Sequence, residues 1–306
     1  MDSGTDRAGP LGFIGLGVMG EPMCRNLARK SGREVVGFDH AAEPLERLRE
    51  HGVAAASSLT ELARDCRVIF MALPSGRHVE AVCEGAEGLL ARARPDTLVV
   101  DLGTSPVDLT RDLASRFRER GARYADAPIA RTRQAAEDGT LSIMVGAEPA
   151  DFAELQPLLA TLATDITHCG PVGSGQIVKI LNNMVLVETV VALSEAIAVA
   201  RRAGLDGRVL FETLQKGSAD SFALRNHGMK AVLPGIFPER AFSTDYARKD
   251  LSYALALGSA LGLDLRGATT ADHLLRQASE AGYGDLYWPV VSRILDLEPD
   301  EGGRGA

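Results

Sequence analysis

The chain is predicted to be an α/β protein in two parts: a doubly wound parallel sheet, then an all-α domain built on one long helix. Three observations predict this. From Leu11 to about Gly170, short apolar runs alternate with amphipathic stretches, the pattern of strands and crossover helices in a parallel sheet. Gly15, Gly17 and Gly20 stand at the first strand-to-helix turn in the spacing G-x-G-x-x-G. Past Gly170 strand-like runs vanish, and Gln176 to Ala203 reads as one helix of about eight turns.

A polar tail (1–10), expected to be flexible, precedes the first strand, Leu11 to Ile14. The three glycines after it have separate physical roles. Gly15 makes the tight turn, Gly17 lets backbone approach a pyrophosphate, and Gly20 lets helix pack on strand. The loop Gly15, Leu16, Gly17, Val18, Met19 and Gly20 is therefore the candidate cofactor cradle, with amides at the helix start facing the anion. The helix from Glu21 to Lys30 has Met23, Leu27 and Ala28 on one side. A second strand, Glu34 to Phe38, ends at Asp39, nineteen residues past Gly20, close to the spacing of ~20 expected for a ribose-binding acid. A carboxylate there accepts from the ribose hydroxyls and repels a 2′-phosphate, and His40 stands where an arginine would suit NADP. NAD is favoured; NADP stays open because Arg47 and Arg49 lie on the next helix.

Arg67 to Leu73 is a buried strand ending at Pro74-Ser75-Gly76, and Thr97 to Leu102 another, ending at Gly103-Thr104-Ser105. Both ends lie where carboxyl ends of parallel strands face a nucleotide, so Leu73, Pro74 and Thr104 join the cofactor candidates. Ala122 to Pro128 and Thr140 to Gly146 supply two more strands. Together these define a Rossmann-type dinucleotide-binding domain over 11–172.

The second domain, 173–297, is expected to be all-helical, with further helices over Asp206 to Lys216, Ser243 to Leu261 and Thr269 to Ala281, and a flexible tail over 298–306. The length of 306 residues suits two domains. A net charge of −8 gives no basic field for nucleic acid or an anionic membrane. The N-terminal stretch carries Asp2 and Asp6 and does not read as a signal peptide. Lys179, Glu188 and Glu195 interrupt the longest apolar helix, which argues against a membrane span. Cys24, Cys66, Cys83 and Cys169 show no metal-ligand spacing and fit a reducing cytoplasm; the six histidines do not cluster, so no metal is expected.

Lys179 and Asn183 stand one turn apart on the long helix and share a face, amid Ile177, Val178, Ile180, Leu181 and Met184. An ammonium in such a wall must find a partner, lie in a wet cleft, or have a lowered pKa. The last condition suits a general acid/base; the alternative is a snorkelling lysine beside a polar seam.

With these motifs in place the chain resembles the β-hydroxyacid dehydrogenase family, which includes 3-hydroxyisobutyrate dehydrogenase. The likeness runs from about Leu11 to Leu295, through FIGLGVMGEPM (Phe13 to Met23), Asp126-Ala127-Pro128, GTLSIMVG (Gly139 to Gly146), GSGQIVKILNN (Gly173 to Asn183) and Arg248-Lys249-Asp250-Leu251. The resemblance implies an oxidoreductase that moves a hydride between NAD(P) and a small hydroxy or aldehyde acid. It implies Lys179 as catalytic acid/base, Asn183 with its neighbour Asn182 at the substrate, Lys249 closing over the cofactor, a pocket between the domains, and a homodimer or homotetramer through the helical domain. Read from its neighbours alone, Lys249 is instead a partner of Asp245 or Asp250. Most members follow Asp-Ala-Pro with a Ser-Gly-Gly triplet whose amides grip the substrate carboxylate; here Ala130-Arg131-Thr132 stands there. That departure is similar to the sulfolactaldehyde reductase branch, whose arginine grips a sulfonate, and it implies Arg131 and Thr132 as substrate-binding side chains. Leu186 stands where that branch would suggest a serine. The other reading of Arg131 and Arg133 is a solvated loop pairing with Glu137 or Asp138. Two alternatives share the architecture: an imine reductase, against which Lys179 argues, and a non-catalytic nucleotide-binding scaffold.

Overall fold

The structure is a computed structural model that describes residues 9–296. The chain divides into two compact units, Met1–Lys179 and Ile180–Ala306.

In the first unit β1 (Leu11–Ile14), β2 (Val35–Phe38), β3 (Val53–Ala55), β4 (Val68–Met71), β5 (Leu98–Asp101) and β6 (Arg123–Asp126) lie parallel in the order β3-β2-β1-β4-β5-β6. The central runs are apolar at every position because helices cover both faces. On β4, Val68 and Phe70 point to one face with Leu11 and Phe13, while Ile69 and Met71 point to the other with Ile14. The first face packs on α1 (Gly20–Lys30), through Met23 and Leu27, and on α8 (Pro149–Leu159), through Leu155 and Leu159. The second packs on α3 (Leu59–Asp65), α4 (Gly76–Cys83) and α6 (Val107–Glu119), through Leu62, Val79, Leu113 and Phe117. The short helices α2 (Ala42–Arg49) and α5 (Leu89–Arg92) complete the alternation up to β5.

One edge corrects the all-parallel expectation. After Asp126-Ala127-Pro128 the chain bends into β7 (Ile129–Ala130), and β8 (Leu141–Gly146) runs antiparallel to both β6 and β7. Residues 131–140, which include the six-residue α7 (Arg133–Asp138), join β7 to β8, and a parallel crossover needs about a dozen residues or more. β9 (Ala163–Gly170), reached across α8, is parallel to β8. β3 is apolar but only three residues long, and β9 alternates little, with four of its eight residues exposed and one buried, so neither stands out as a strand in the sequence.

The second unit carries most of α9 (Ser174–Arg202), then α10 (Gly207–Leu214), a π-helical stretch Leu224–Val232, α11 (Thr244–Ala260), α12 (Arg266–Ala278) and α13 (Ser292–Asp296). Asp206 and Ser243, expected as first helical residues, are N-caps: Asp206 Oδ1 accepts from the Arg208 and Val209 amides and Ser243 Oγ from that of Tyr246. By length and composition α9, with a mean hydropathy of 1.7, is apolar enough to cross a membrane. Here it is a core helix, with Gln176, Asn183 and Ser194 buried along it. The boundary between units falls at 179/180, seven residues past the expected 172/173, because the first turns of α9 are tied to the sheet. Apart from Gly9 and Pro10, the tails expected at 1–10 and 298–306 lie outside the described residues.

Candidate active site

The glycine loop fits a dinucleotide by what surrounds each glycine. Gly15 has φ +86°, and a Cβ there would lie 2.5 Å from the Ala72 carbonyl oxygen. A Cβ on Gly20 would fall on the Gly15 carbonyl, so helix and strand meet with no room for a side chain. A Cβ on Gly17 would meet nothing within 4 Å, since this glycine faces open space at the carboxyl edge of the sheet. Asp39 ends β2; its Oδ2 accepts from the Leu16 amide at 2.6 Å and its Oδ1 from the Ala41 amide at 2.9 Å. The acid expected at a ribose thus also pins the loop. Arg47, a candidate for a 2′-phosphate, is bound in two-point fashion to Glu21, at 2.8 and 2.7 Å. That bond is the main reason the Glu21 carboxyl lies below its ordinary range. Val18 is exposed, Met19 half-buried and packed on the core, Pro74 exposed, Leu73 half-buried and Thr104 buried.

Two buried carboxylates at the ends of neighbouring strands then fix the start of α9. Asp126 Oδ1 accepts from the Gly173 amide at 2.6 Å and Oδ2 from the Gln176 amide at 2.7 Å. These are donors that the first turn of a helix leaves without intrahelical partners, and a negative charge suits that end of the helix. Burial pushes the Asp126 carboxyl up to about 6, against the pull of the Gly173, Gln176, Gly175 and its own amides. Asp101 Oδ1 accepts from the Gly103 amide at 2.8 Å and Oδ2 from Ser105 Oγ at 2.6 Å. Gln176 joins the two: its Oε1 accepts from the Ser105 amide at 3.0 Å and its Nε2 donates to the Gly103 carbonyl at 2.9 Å. Lys179 follows Gln176 by three residues, half-buried, on the helical turn that this network holds against the segment carrying Thr104. The sequence does not mark Asp101, Asp126 or Gln176 for this role; the Asp-Ala-Pro motif is its only signal.

The second unit brings together two residues predicted separately. Asn183 is buried, and its Nδ2 donates to Asp250 Oδ2 at 2.7 Å; its Oδ1 accepts from Asn182 Nδ2 at 3.1 Å. Lys249 Nζ lies 3.0 Å from Asp250 Oδ1 and 3.8 Å from the Tyr246 ring centroid. Asp250, only 2% exposed, is the hub. From sequence it is merely a possible partner for Lys249. A cavity of about 600 Å³ in this unit, beside Arg201, Leu205 and Pro234, touches none of these residues.

Residues 10–170 match the family model described as the NAD binding domain of 6-phosphogluconate dehydrogenase, and residues 173–287 the one described as NAD-binding of NADP-dependent 3-hydroxyisobutyrate dehydrogenase. The 2-(hydroxymethyl)glutarate dehydrogenase of Eubacterium barkeri is 34% identical over 286 residues, 94% of each chain. The 2-hydroxy-3-oxopropionate reductase of Escherichia coli (strain K12) is 34% identical over 289 residues, 94% of this chain and 97% of its own. A solved Mycobacterium tuberculosis 3-hydroxyisobutyrate dehydrogenase with L-serine superposes with a TM-score of 0.87, at 30% identity, covering 94% of this chain and 99% of its own. The chain belongs to the β-hydroxyacid dehydrogenase family. It is an NAD(P)-dependent oxidoreductase of small hydroxy acids.

In this dehydrogenase Arg131 and Thr132, expected at the substrate, are bonded within the first unit. The Arg131 guanidinium is engaged: Nη1 donates to the Thr140 carbonyl at 2.6 Å and to Thr164 Oγ1 at 2.9 Å, and Nη2 donates to Asp165 at 2.5 Å. Thr132 Oγ1 caps α7 by accepting from the Ala135 amide at 3.4 Å. Both side chains serve the surface of the first unit, so the sulfonate clamp has no support here. Arg133 pairs with Glu137 at 3.1 Å, as the solvated-loop reading expected.

Proposed function

We propose that this dehydrogenase interconverts 2-substituted 3-hydroxypropionates and the matching 3-oxopropionates, with NAD preferred over NADP and Lys179 as general acid/base. One observation carries the reading. Lys179 stands on a helical turn whose start is bonded through Asp126 and Gln176 to the ends of the cofactor-binding strands. A proton donor held by main-chain bonds to the cradle is pre-oriented for a reaction at the nicotinamide edge. The bound nicotinamide supplies the hydride acceptor or donor. As free amine, Lys179 takes the alcohol proton while the C–H hydride leaves the same carbon; as ammonium, it returns that proton to the carbonyl oxygen. Asn183 offers its amide to the substrate, steadied by Asp250, and Lys249 is steadied by the same carboxylate. The segment Ala130-Arg131-Thr132 meets the substrate carboxylate with its main chain.

The substrate class follows from the relatives' names: 2-(hydroxymethyl)glutarate, 3-hydroxyisobutyrate, L-serine and 2-hydroxy-3-oxopropionate all carry a carboxylate and a substituted C2 that bears an oxygenated one-carbon group. NAD preference is supported by Asp39 at the end of β2 and by the engagement of Arg47 with Glu21. Exposed Val178, Leu181, Val185 and Val199, spaced along α9, support a homodimer or homotetramer through the helical unit. Four free cysteines, three of them buried, support a cytoplasmic enzyme.

The test is NADH oxidation over a panel of short aldehyde acids, with carboxylates, sulfonates and uncharged analogues side by side. Turnover of 2-substituted 3-oxopropionates well above their sulfonate and uncharged counterparts supports the reading; a sulfonate preferred over its carboxylate, or no carboxylate turned over, overturns it.

A further inference from the structure

Arg131 has φ +87°, in the left-handed region where a Cβ crowds the backbone and glycine is the usual occupant. The chain makes a glycine-like turn here without a glycine, and something must hold it.

The holding groups are visible. Ala130 on β7 is paired with Ser142 on β8, and Ser142 with Asp165 on β9, so three strands lie abreast at this row. Leu141 opposes Ala163 while Ser142 opposes Asp165, which makes Thr164 the extra residue of a β-bulge. A bulge re-aims side chains, and this one presents Thr164 and Asp165 together. The Arg131 side chain crosses the start of β8 to reach them, bonding the Thr140 carbonyl at 2.6 Å, Thr164 Oγ1 at 2.9 Å and Asp165 at 2.5 Å. Thr164 Oγ1 also donates to Asp165 at 2.9 Å. Thr164 first and Arg131 second hold the Asp165 carboxyl below its ordinary range.

The geometry points to Arg131 as a positioning residue: its guanidinium straps the end of β7 to the bulge of β9 and so holds residues 130–132 in the turn whose main chain meets the substrate carboxylate, without itself touching substrate. This rests on the proposed function for the role of the turn; the strap rests on the bonds alone.

Glycine separates this from an anion clamp, because Arg131→Gly removes the guanidinium and the strain together, whereas Arg131→Ala removes the guanidinium and leaves a Cβ in the left-handed turn. Asp165→Asn weakens the strap and leaves the guanidinium in place. The readouts are KM and kcat with a 2-substituted 3-oxopropionate, and amide hydrogen exchange over 130–132 in the protein without substrate. Arg131→Ala is expected to raise KM about 10-fold with kcat within about 2-fold, and Arg131→Gly to stay within about 2-fold of wild type in both. Asp165→Asn should raise KM less than Arg131→Ala does, and both should speed exchange over 130–132. If Arg131→Gly raises KM as much as Arg131→Ala, the side chain itself meets the anion and the strap is wrong. Wild-type protein inactive on every carboxylate would remove the proposed function and leave exchange to decide: unchanged protection in both Arg131→Ala and Asp165→Asn overturns the strap.

Discussion

Asp126 in the first unit and Asp250 in the second are both buried carboxylates that hold candidate active-site residues in place, and they do it by different bonds. Asp126 accepts from main-chain amides of Gly173 and Gln176; Asp250 accepts from the Asn183 amide group and faces the Lys249 ammonium. Main-chain bonds fix where a helical turn lies, and with it every residue on that turn. Side-chain bonds fix only how a long side chain points. The first kind suits Lys179, whose own chain is flexible and whose placement must come from its backbone. The second suits Asn183 and Lys249, which have only to present a group in one direction.

If this contrast is right, removing the proton donor has the largest effect on chemistry. Lys179→Ala is expected to lower kcat by ~10²–10⁴-fold while NADH still binds; titration of cofactor fluorescence checks the second half, and loss of binding would take Lys179 out of the chemical step. Next comes the backbone anchor. Asp126→Ala leaves buried amides without acceptors and should cost about 3 kcal/mol of stability, read as a drop in the denaturant midpoint. A loss well under 1 kcal/mol would mean that the helix start is held by Gln176 and Asp101 alone.

Asp250→Asn keeps an acceptor for Asn183 and abolishes the ion pair with Lys249. A ~10-fold fall in kcat/KM with unchanged stability is expected; an effect on stability as large as that of Asp126→Ala would erase the distinction between the two carboxylates. Smaller still is the change at Asp39, where Ala substitution should weaken NAD several-fold, about the net value of one ordinary hydrogen bond, and narrow the NAD-to-NADP ratio. Steady-state kinetics with both cofactors measure it, and a wild type that prefers NADP would contradict the assignment.

Asp126 also sets a pH dependence with a definite sign. Burial lifts its carboxyl from the ordinary 3.8 to about 6, so between those values the folded protein keeps a proton that the unfolded chain has lost. The associated stability is fully present below pH 3.8 and is lost as pH rises through about 6, at up to about 1.4 kcal/mol per pH unit within the window. The stability advantage of wild type over Asp126→Asn should therefore shrink as pH rises from 4 to 7. An advantage that grows over that range would show that the amide donors outweigh desolvation.

Sequence is most legible where one physical cause acts over a short range. β4 announces itself as an unbroken apolar run and β5 as one up to its final Asp101 because helices cover both faces, and the glycine loop does so because Gly15 and Gly20 leave no room for a Cβ. β9 is silent because half of its residues are exposed and only one is buried, and the reversal of β8 is silent because strand direction depends on the length of a connection and not on hydropathy. Lys179 and Asn183 stand out by helical spacing. Asp250 does not, because its work depends on Asn183, 67 residues away in sequence. Arg131 misleads for a related reason: its partners Thr164 and Asp165 lie 33 and 34 residues away, on a strand that hydropathy does not reveal.

Local pattern alone therefore determined the fold class and the NAD(P)-binding domain, and it singled out the glycine loop, Asp39 and the pairing of a lysine with an asparagine on one helix. Those features depend on residue type at fixed short spacing, which backbone geometry converts directly into position. Which carboxylate holds which group was decided only in the folded chain: Asp126 for the start of α9, Asp250 for Asn183 and Lys249, Asp165 for Arg131. A charge takes whichever opposite charge or donor the fold brings within about 3 Å, and that neighbour is set by strand order and helix packing, which local composition does not encode.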